Sequence, residues 1–247
     1  VLIIEGNPDV VEYLAACLCE YFRLDFAYNG KAGIEKALEI VPDLIISDVM
    51  MPEKDGFEVC DYLKNDERAS HIPVVLLTAK ADVSSRIAGL RIGADAYLAK
   101  PFHEVELLAT LQNLLANRKK LQAKYAAFPE QPAARNPQAD VDPEDAFLQK
   151  IRDIVEQNLS NADFEMQQLE RALSMSRSQI FRKVKALTGK SPSQYIRSLR
   201  LHHGKHLLQT TNLTVSEIAF EVGFSTVSYF SDAFLEEFGQ RPSAMRP

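Results

Sequence analysis

Asp48 closes the apolar run Leu44-Ile45-Ile46-Ser47, and Thr78 and Lys100 close two later runs that end at Leu77 and Ala99. A further acid, Glu5, ends the opening run Val1 to Ile4. Together these side chains could do phosphoryl chemistry. An aspartate attacks a phosphoryl group only when positive charge neutralises the incoming oxygens and holds donor and acceptor in line. A lysine supplies one such charge, and a divalent cation between carboxylates supplies the other. Mg²⁺ suits that place, because it prefers oxygen ligands and keeps waters that a phosphate can displace. The plain alternative for Asp48, a carboxylate that merely caps a strand end, does not explain the other positions.

The elements that must position these residues are legible in the hydropathy. Short apolar runs recur at Val1 to Ile4, Leu24 to Ala27, Leu44 to Ile46, Val74 to Leu77 and Ala96 to Leu98, separated by amphipathic stretches of helical length. That alternation predicts an α/β fold, a five-stranded parallel sheet doubly wound by helices. In such a sheet the ligand site lies beyond the carboxyl ends of the strands. Glu5, Asp48, Thr78 and Lys100 should all converge there.

From Val1 to about Lys120, the ordered set Asp48, Met51-Pro52, Asp55-Gly56, Thr78-Ala79 and Lys100-Pro101 resembles the receiver domains of two-component signalling. The resemblance implies that Asp48 is the phosphoacceptor, Lys100 contacts the phosphate, Thr78 senses it and Tyr97 is the aromatic that changes rotamer. It also implies a Mg²⁺ site made by Glu5, Asp48 and the Met50 carbonyl. One position departs: receivers usually end their first strand with two adjacent acids, and here Gly6 follows Glu5. A lost carboxylate should weaken Mg²⁺ binding. A pseudo-receiver that keeps the fold and serves as a protein-interaction module therefore stays open.

The chain has 247 residues, enough for two domains, and 46% of them are hydrophobic. No apolar run approaches the ~18 residues of a membrane span, which points to a cytoplasmic placement. Cys17, Cys19 and Cys60 lack metal-ligand spacing. Cys17 and Cys19 should face different sides of a helix, so free thiols are expected. Nothing at the amino end looks like a targeting peptide, and the chain opens inside a strand at Val1. It is expected to be a piece of something longer.

The net charge of −6 hides an asymmetry. Residues 1–125 carry 14 Lys/Arg against 19 Asp/Glu, whereas residues 144–247 carry 13 against 12. Nine Lys/Arg lie between Arg171 and Lys205, and no acid occurs between Glu170 and Glu217. A stretch of one sign in a folded region suggests a polyanion surface. Residues 126–143, with Pro129, Pro132, Pro137 and Pro143, read as an extended linker between domains at 1–125 and 144–247. Before it, Leu107, Leu111, Leu114, Leu121 and Tyr125 form a helical stripe. Its first half should cover the sheet, and Leu121 and Tyr125 could pair two chains in a coil.

From Glu144 onward the pattern is all helical. Two helix-turn-helix units are expected, Met166 to Leu187 turning at Ser174-Met175-Ser176 and Val215 to Phe238 turning at Gly223-Phe224-Ser225. Ser176 and Ser225 are candidate caps for the second helices, and Ser193 to Leu208 reads as a connecting helix behind Pro192. Phased at about 100° per residue, Ile180, Val184 and Leu187 turn inward while Ser178, Phe181, Arg182 and Lys185 share the other face. Such a face suits a DNA major groove, with Arg182 reaching guanine or phosphate and Phe181 a thymine methyl. A solvated charged face is the plain alternative.

Ser176-Arg177-Ser178-Gln179, Leu187-Thr188-Gly189, Ser191-Pro192, Tyr195-Ile196, Arg200-Leu201, Ile218-Ala219, Val222-Gly223-Phe224-Ser225, Tyr229-Phe230, Phe238-Gly239 and Pro242-Ser243 resemble the DNA-binding domain of AraC-type transcription factors. The resemblance covers about Asp153 to Arg246. It implies two units on a rigid helix that enter successive major grooves, with Arg177 also in the first unit's contact set. The second unit should expose Val227, Ser228, Ser231 and Asp232. It departs from the family in carrying Asp232, Leu235 and Glu236 where basic residues are usual. The first unit should therefore dominate affinity.

His202, His203 and His206 lack a further ligand in view and read as helix side chains rather than a metal site. Gly204 inside the connecting helix should cost about 1 kcal/mol relative to Ala.

A receiver followed by an AraC-type domain is the order found in response regulators and in the tails of hybrid sensors. The expected function is a non-enzymatic, phosphorylation-controlled transcription regulator, apart from the receiver's own phosphoryl transfer and hydrolysis. The expected partners are a histidine kinase, separate or upstream in the same polypeptide, double-stranded DNA, a second copy of the chain and RNA polymerase.

Overall fold

Successive side chains on a strand point to opposite faces, so strands that are apolar at every position must be covered on both sides. The computed structural model, which describes residues 1–79, 92–126 and 143–245, meets that requirement in its first unit, Val1–Lys124. Strands β1 (Leu2–Ile4), β2 (Asp25–Ala27), β3 (Ile45–Asp48), β4 (Val74–Thr78) and β5 (Ala96–Ala99) form one parallel sheet in the order β2-β1-β3-β4-β5. Leu2, Ile4, Ile45, Val74 and Leu76 face helices α2 (Gly30–Ile40) and α3 (Gly56–Asn65). Ile3, Ile46, Val75, Leu77 and Leu98 face α1 (Pro8–Leu18) and α4 (Glu104–Ala126). The five expected strands are present, each within a residue or two of its apolar run.

Local chemistry fixes where the helices start. Asn7 caps α1 and Asn29 caps α2, each accepting a bond from a first-turn amide. Asp55 and Glu58 form a reciprocal capping box on α3. The stripe of α4 divides as its spacing suggests: Leu107 and Leu111 are fully buried on the sheet and Leu114 packs beside them. Arg118, which breaks the stripe, donates to the Asp43 carbonyl at 2.8 Å and pairs with its carboxylate at 3.1 Å.

The expected pairing role of Tyr125 is not supported. Tyr125 is buried in the apolar core of the second unit, so of the two coil residues only Leu121 is exposed. Ala126 still belongs to α4 and Pro143 already opens the next helix. The remainder of the expected linker lies outside the described residues.

In the second unit, Tyr125–Pro247, the regular elements among the described residues are all helical: α5 (Pro143–Gln157), α6 (Met166–Leu173), α7 (Arg177–Thr188), α8 (Pro192–Thr210), α9 (Val215–Glu221) and α10 (Val227–Phe238). It has two cores. Phe147, Ile151, Leu169, Ile180 and Val184 form one, and Ile218, Val222, Phe230 and Phe234 form the other. Helix α8 serves both, giving Tyr195 and Ile196 to the first and Leu201 and Leu208 to the second. Gly204 has a structural reason that its propensity conceals. A Cβ there would stand 3.1 Å from the Phe230 ring, so glycine lets α10 approach α8.

Polar ties reinforce this joint. Arg200, midway along α8, donates to the Gly223 carbonyl at 2.9 Å and the Asn161 carbonyl at 2.6 Å. Lys190 Nζ reaches Ser198 Oγ at 2.6 Å and Glu237 Oε1 at 2.9 Å, and Ser198 Oγ donates to the same carboxylate at 2.7 Å.

Two stability predictions follow from these contacts. Gly223 has φ +77°, and a Cβ would lie 2.3 Å from the Leu159 carbonyl oxygen. Gly223→Ala should cost more than about 2 kcal/mol, visible as a lowered melting temperature. Gly239→Ala, at φ +71° but in open space, should cost about 1 kcal/mol.

Burial tends to raise the Glu237 carboxyl, but its bonds to Ser198 and Lys190 outweigh that and hold it below its ordinary 4.5. A depressed carboxylate contributes stability above its unfolded pKa and loses it as pH falls through the folded value. Glu237→Gln should therefore destabilise at neutral pH by about 2 kcal/mol. Thermal melts from pH 7 down to pH 3 should show the two proteins converging.

Candidate functional site

Parallel pairing brings the four residues singled out in the sequence to one edge of the sheet. Asp48 ends β3 and Thr78 ends β4, while Glu5 and Lys100 each follow the last residue of a strand. The Val49 amide donates to the Leu77 carbonyl at 2.9 Å and the Lys100 amide to the Thr78 carbonyl at 2.7 Å, so the strand ends are locked in register. Gly56 completes the backing. A Cβ on it would fall 2.3 Å from the Asp48 carbonyl oxygen, so only glycine lets the start of α3 close over the end of β3.

Lys100 Nζ sits 2.7 Å from Glu5 Oε2 and 2.8 Å from Asp48 Oδ1. The Glu5 and Asp48 residues are 2% and 7% exposed, which makes the triad a largely dehydrated charge cluster. The other Glu5 oxygen accepts the Asn7 amide at 2.8 Å. Burial pushes the Asp48 carboxyl above its ordinary value, against the opposing Lys100 hydrogen bond and with help from neighbouring Glu5. Burial would depress Lys100, yet its bonds to Asp48 and Glu5 outweigh it and hold the ammonium above 10.5.

Thr78 is buried beside this cluster. Tyr97, on β5, is half-buried against the core beneath α2 and α3. Its hydroxyl is buried with no hydrogen-bond partner among the described residues. Burial, followed by nearby Cys60, pushes that phenol up to about 12. The Met50 side chain is exposed.

Among the described residues no group of three or more His, Cys, Asp or Glu is placed to hold a metal ion. Two carboxylates meeting at one point do fit a hard divalent cation that keeps most of its water shell. Gly6 adds nothing to that donor set, although its space is open: a Cβ there would meet only the Tyr28 carbonyl oxygen at 3.4 Å.

In the second unit, α7 is capped by Ser176 in a reciprocal box with Gln179. Arg177, Ser178, Phe181, Arg182 and Lys185 are all exposed on it. The corresponding expectation for α10 needs correction. Thr226, not Ser225, is its cap, accepting the Tyr229 amide at 3.2 Å. Ser228 and Asp232 are exposed, but Ser231 is half-buried and Val227 packs on the core.

The basic stretch is also less of a free surface than its composition suggests. Lys183 is fully buried, 3.1 Å from Glu144 and with its ammonium 4.4 Å from the centroid of the Phe147 ring. Periodicity contains that signal, since residue 183 lies about 60° from Ile180 and within the apolar arc. The pairs Lys190–Glu237 and Arg197–Glu236, the latter at 3.2 Å, carry no comparable signal because their partners lie far along the chain.

Residues 1–112 match the family model of the response regulator receiver domain, and residues 169–247 match that of a helix-turn-helix domain. The chain is thus a receiver domain followed by a helix-turn-helix domain of the AraC type. Over 243 residues, 98% of this chain, it is 35% identical to histidine kinase P4 of Formosa agariphila, of which it spans 18%. Over 119 residues, 48% of this chain, it is 43% identical to hybrid signal transduction histidine kinase D of Dictyostelium discoideum, spanning 8% of it. The chain therefore spans a small part of the length of both relatives. Among solved structures, the signal receiver domain of a signal transduction histidine kinase from Syntrophus aciditrophicus is 33% identical, with a TM-score of 0.46, 54% of this chain covered and 97% of that one. Among the described residues, no helix is long and apolar enough to cross a membrane.

Restoring an acid at the first strand's end tests the cleft's donor set. Gly6→Asp should tighten Mg²⁺ binding by about tenfold, since affinity follows ligand charge count. Calorimetric titration of Mg²⁺ into both proteins checks this, with Asp48→Ala expected to abolish the gain.

Proposed function

We propose that this chain is the receiver and output part of a two-component transcription regulator, phosphorylated on Asp48 and binding double-stranded DNA through its helix-turn-helix units. The observation that carries the reading is the Asp48 carboxylate held 2.8 Å from Lys100 at the carboxyl edge of a parallel sheet. In the proposed step an Asp48 oxygen forms a bond to phosphorus as the N–P bond of a kinase phosphohistidine breaks, and the imidazole leaves. Lys100 neutralises phosphoryl oxygens, and releasing one carboxylate from its bridge leaves the other still paired. Mg²⁺, held by Glu5, Asp48 and the Met50 carbonyl, would supply further charge neutralisation.

Thr78 then turns its hydroxyl to the new phosphoryl group, and Tyr97 follows. The Tyr97 phenol has no hydrogen-bond partner among the described residues, and a buried hydroxyl left so costs about 1–3 kcal/mol, which lowers the barrier to a second rotamer. The likeness to histidine kinase P4 over 98% of this chain supports a kinase donor upstream in the same polypeptide, with this segment in the cytoplasm. Pairing of two chains would raise the local concentration of DNA-binding units at repeated half-sites. RNA polymerase is the further partner such a regulator would address.

Gly6 favours a second reading, in which the receiver is a docking module and DNA binding does not depend on phosphorylation. Intact mass after incubation with Mg²⁺ and a small phosphodonor separates the two. The first reading expects one added phosphoryl group that Asp48→Ala lacks, together with changed affinity for DNA at fixed salt. No addition from any donor, kinases included, would leave only the docking module.

A further inference from the structure

Within the second unit a groove of about 800 Å³ lies where the two helix-turn-helix units meet. Arg177, the first residue of α7, lines it, as do Ser225 and Tyr229, which flank the Thr226 cap of α10. The starts of both second helices thus open onto one depression. Arg197 and Arg200 of α8 line it too, as do Glu165 and Glu170. Arg200 is held by two carbonyls, and its pKa is lowered by burial alone. Among the described residues Arg197 pairs with one acid, Glu236 of α10 at 3.2 Å, and Glu236 is itself largely exposed.

A recognition helix reads bases with its amino-terminal residues. If α7 and α10 enter successive major grooves, the sugar-phosphate strand dividing those grooves must pass over whatever lies between their amino ends. That place is this groove.

We propose that the groove is a seat for the intervening DNA backbone, and that Arg197 is a phosphate contact restrained by Glu236. Binding would exchange the Glu236 carboxylate for a phosphate oxygen on the same guanidinium. Arg200 is a positioning residue: its two terminal nitrogens donate to the Gly223 and Asn161 carbonyls, while its Nε is buried without a partner among the described residues. The acid on α10 thereby becomes a brake acting through Arg197, beyond any direct repulsion of DNA. This inference rests on the DNA-binding reading above.

The test is the salt dependence of full-length protein binding to a mixed-sequence DNA duplex, for wild type, Arg197→Gln, Glu236→Gln and the double variant. Each phosphate contact contributes about 0.9 to the slope of log affinity against log salt. Arg197→Gln should lower the slope by about that amount. Glu236→Gln, at an exposed position, should raise affinity several-fold in the wild-type background and much less once Arg197 is gone. An equal gain in both backgrounds would mean simple repulsion by Glu236 and would overturn the proposal, as would an unchanged slope in a folded Arg197→Gln protein. A wild-type slope near zero would instead sink the DNA-binding reading itself, and this inference with it.

Discussion

One ammonium group, Lys100 Nζ between Glu5 and Asp48, is the contact on which the first unit turns. Burial disfavours the charged form of the Asp48 carboxyl, and the Lys100 hydrogen bond opposes that. Lys100 therefore favours the charged form of Asp48, and it also ties the ends of β1, β3 and β5 across the sheet edge. In the proposed phosphotransfer a phosphoryl group at Asp48 would enter a site where the positive charge is already in place, so little reorganisation would be needed. The same bridge explains how the cleft holds together with a single acid at the end of its first strand.

The second unit solves a different problem, holding two small cores at a fixed separation. Neither helix-turn-helix unit is large enough to be stable alone at this size. Helix α8 lends side chains to both, and Arg200 and Lys190 add polar ties across the joint. Each core is completed by the element that links it to the other.

The strands, the convergence of Glu5, Asp48, Thr78 and Lys100 at one sheet edge, the two helix-turn-helix units and the exposed face of α7 were legible in the sequence, because each depends on local periodicity or on residues that end an apolar run. What escaped depends on the third dimension. Lys183 counted as a surface cation although its phase put it with Ile180 and Leu187, and its counter-ion Glu144 lies on another helix. Ser225 looked as good a cap as Thr226, because capping turns on the backbone angles of one residue. Tyr125 read as a coil position, since a heptad stripe does not say what it faces. Gly204 looked like a cost until the Phe230 ring beside it was in view.

The sharing of α8 between the cores bears on the proposed DNA site as well as on the protein. A helix of 19 residues with both ends embedded cannot act as a hinge, so the spacing of α7 and α10 is a property of the fold. If both units bind one duplex as proposed, sites whose two half-elements are not separated by one helical turn would have to be overwound or bent to fit. Discrimination between operators would arise partly from the stiffness of base pairs that no side chain touches.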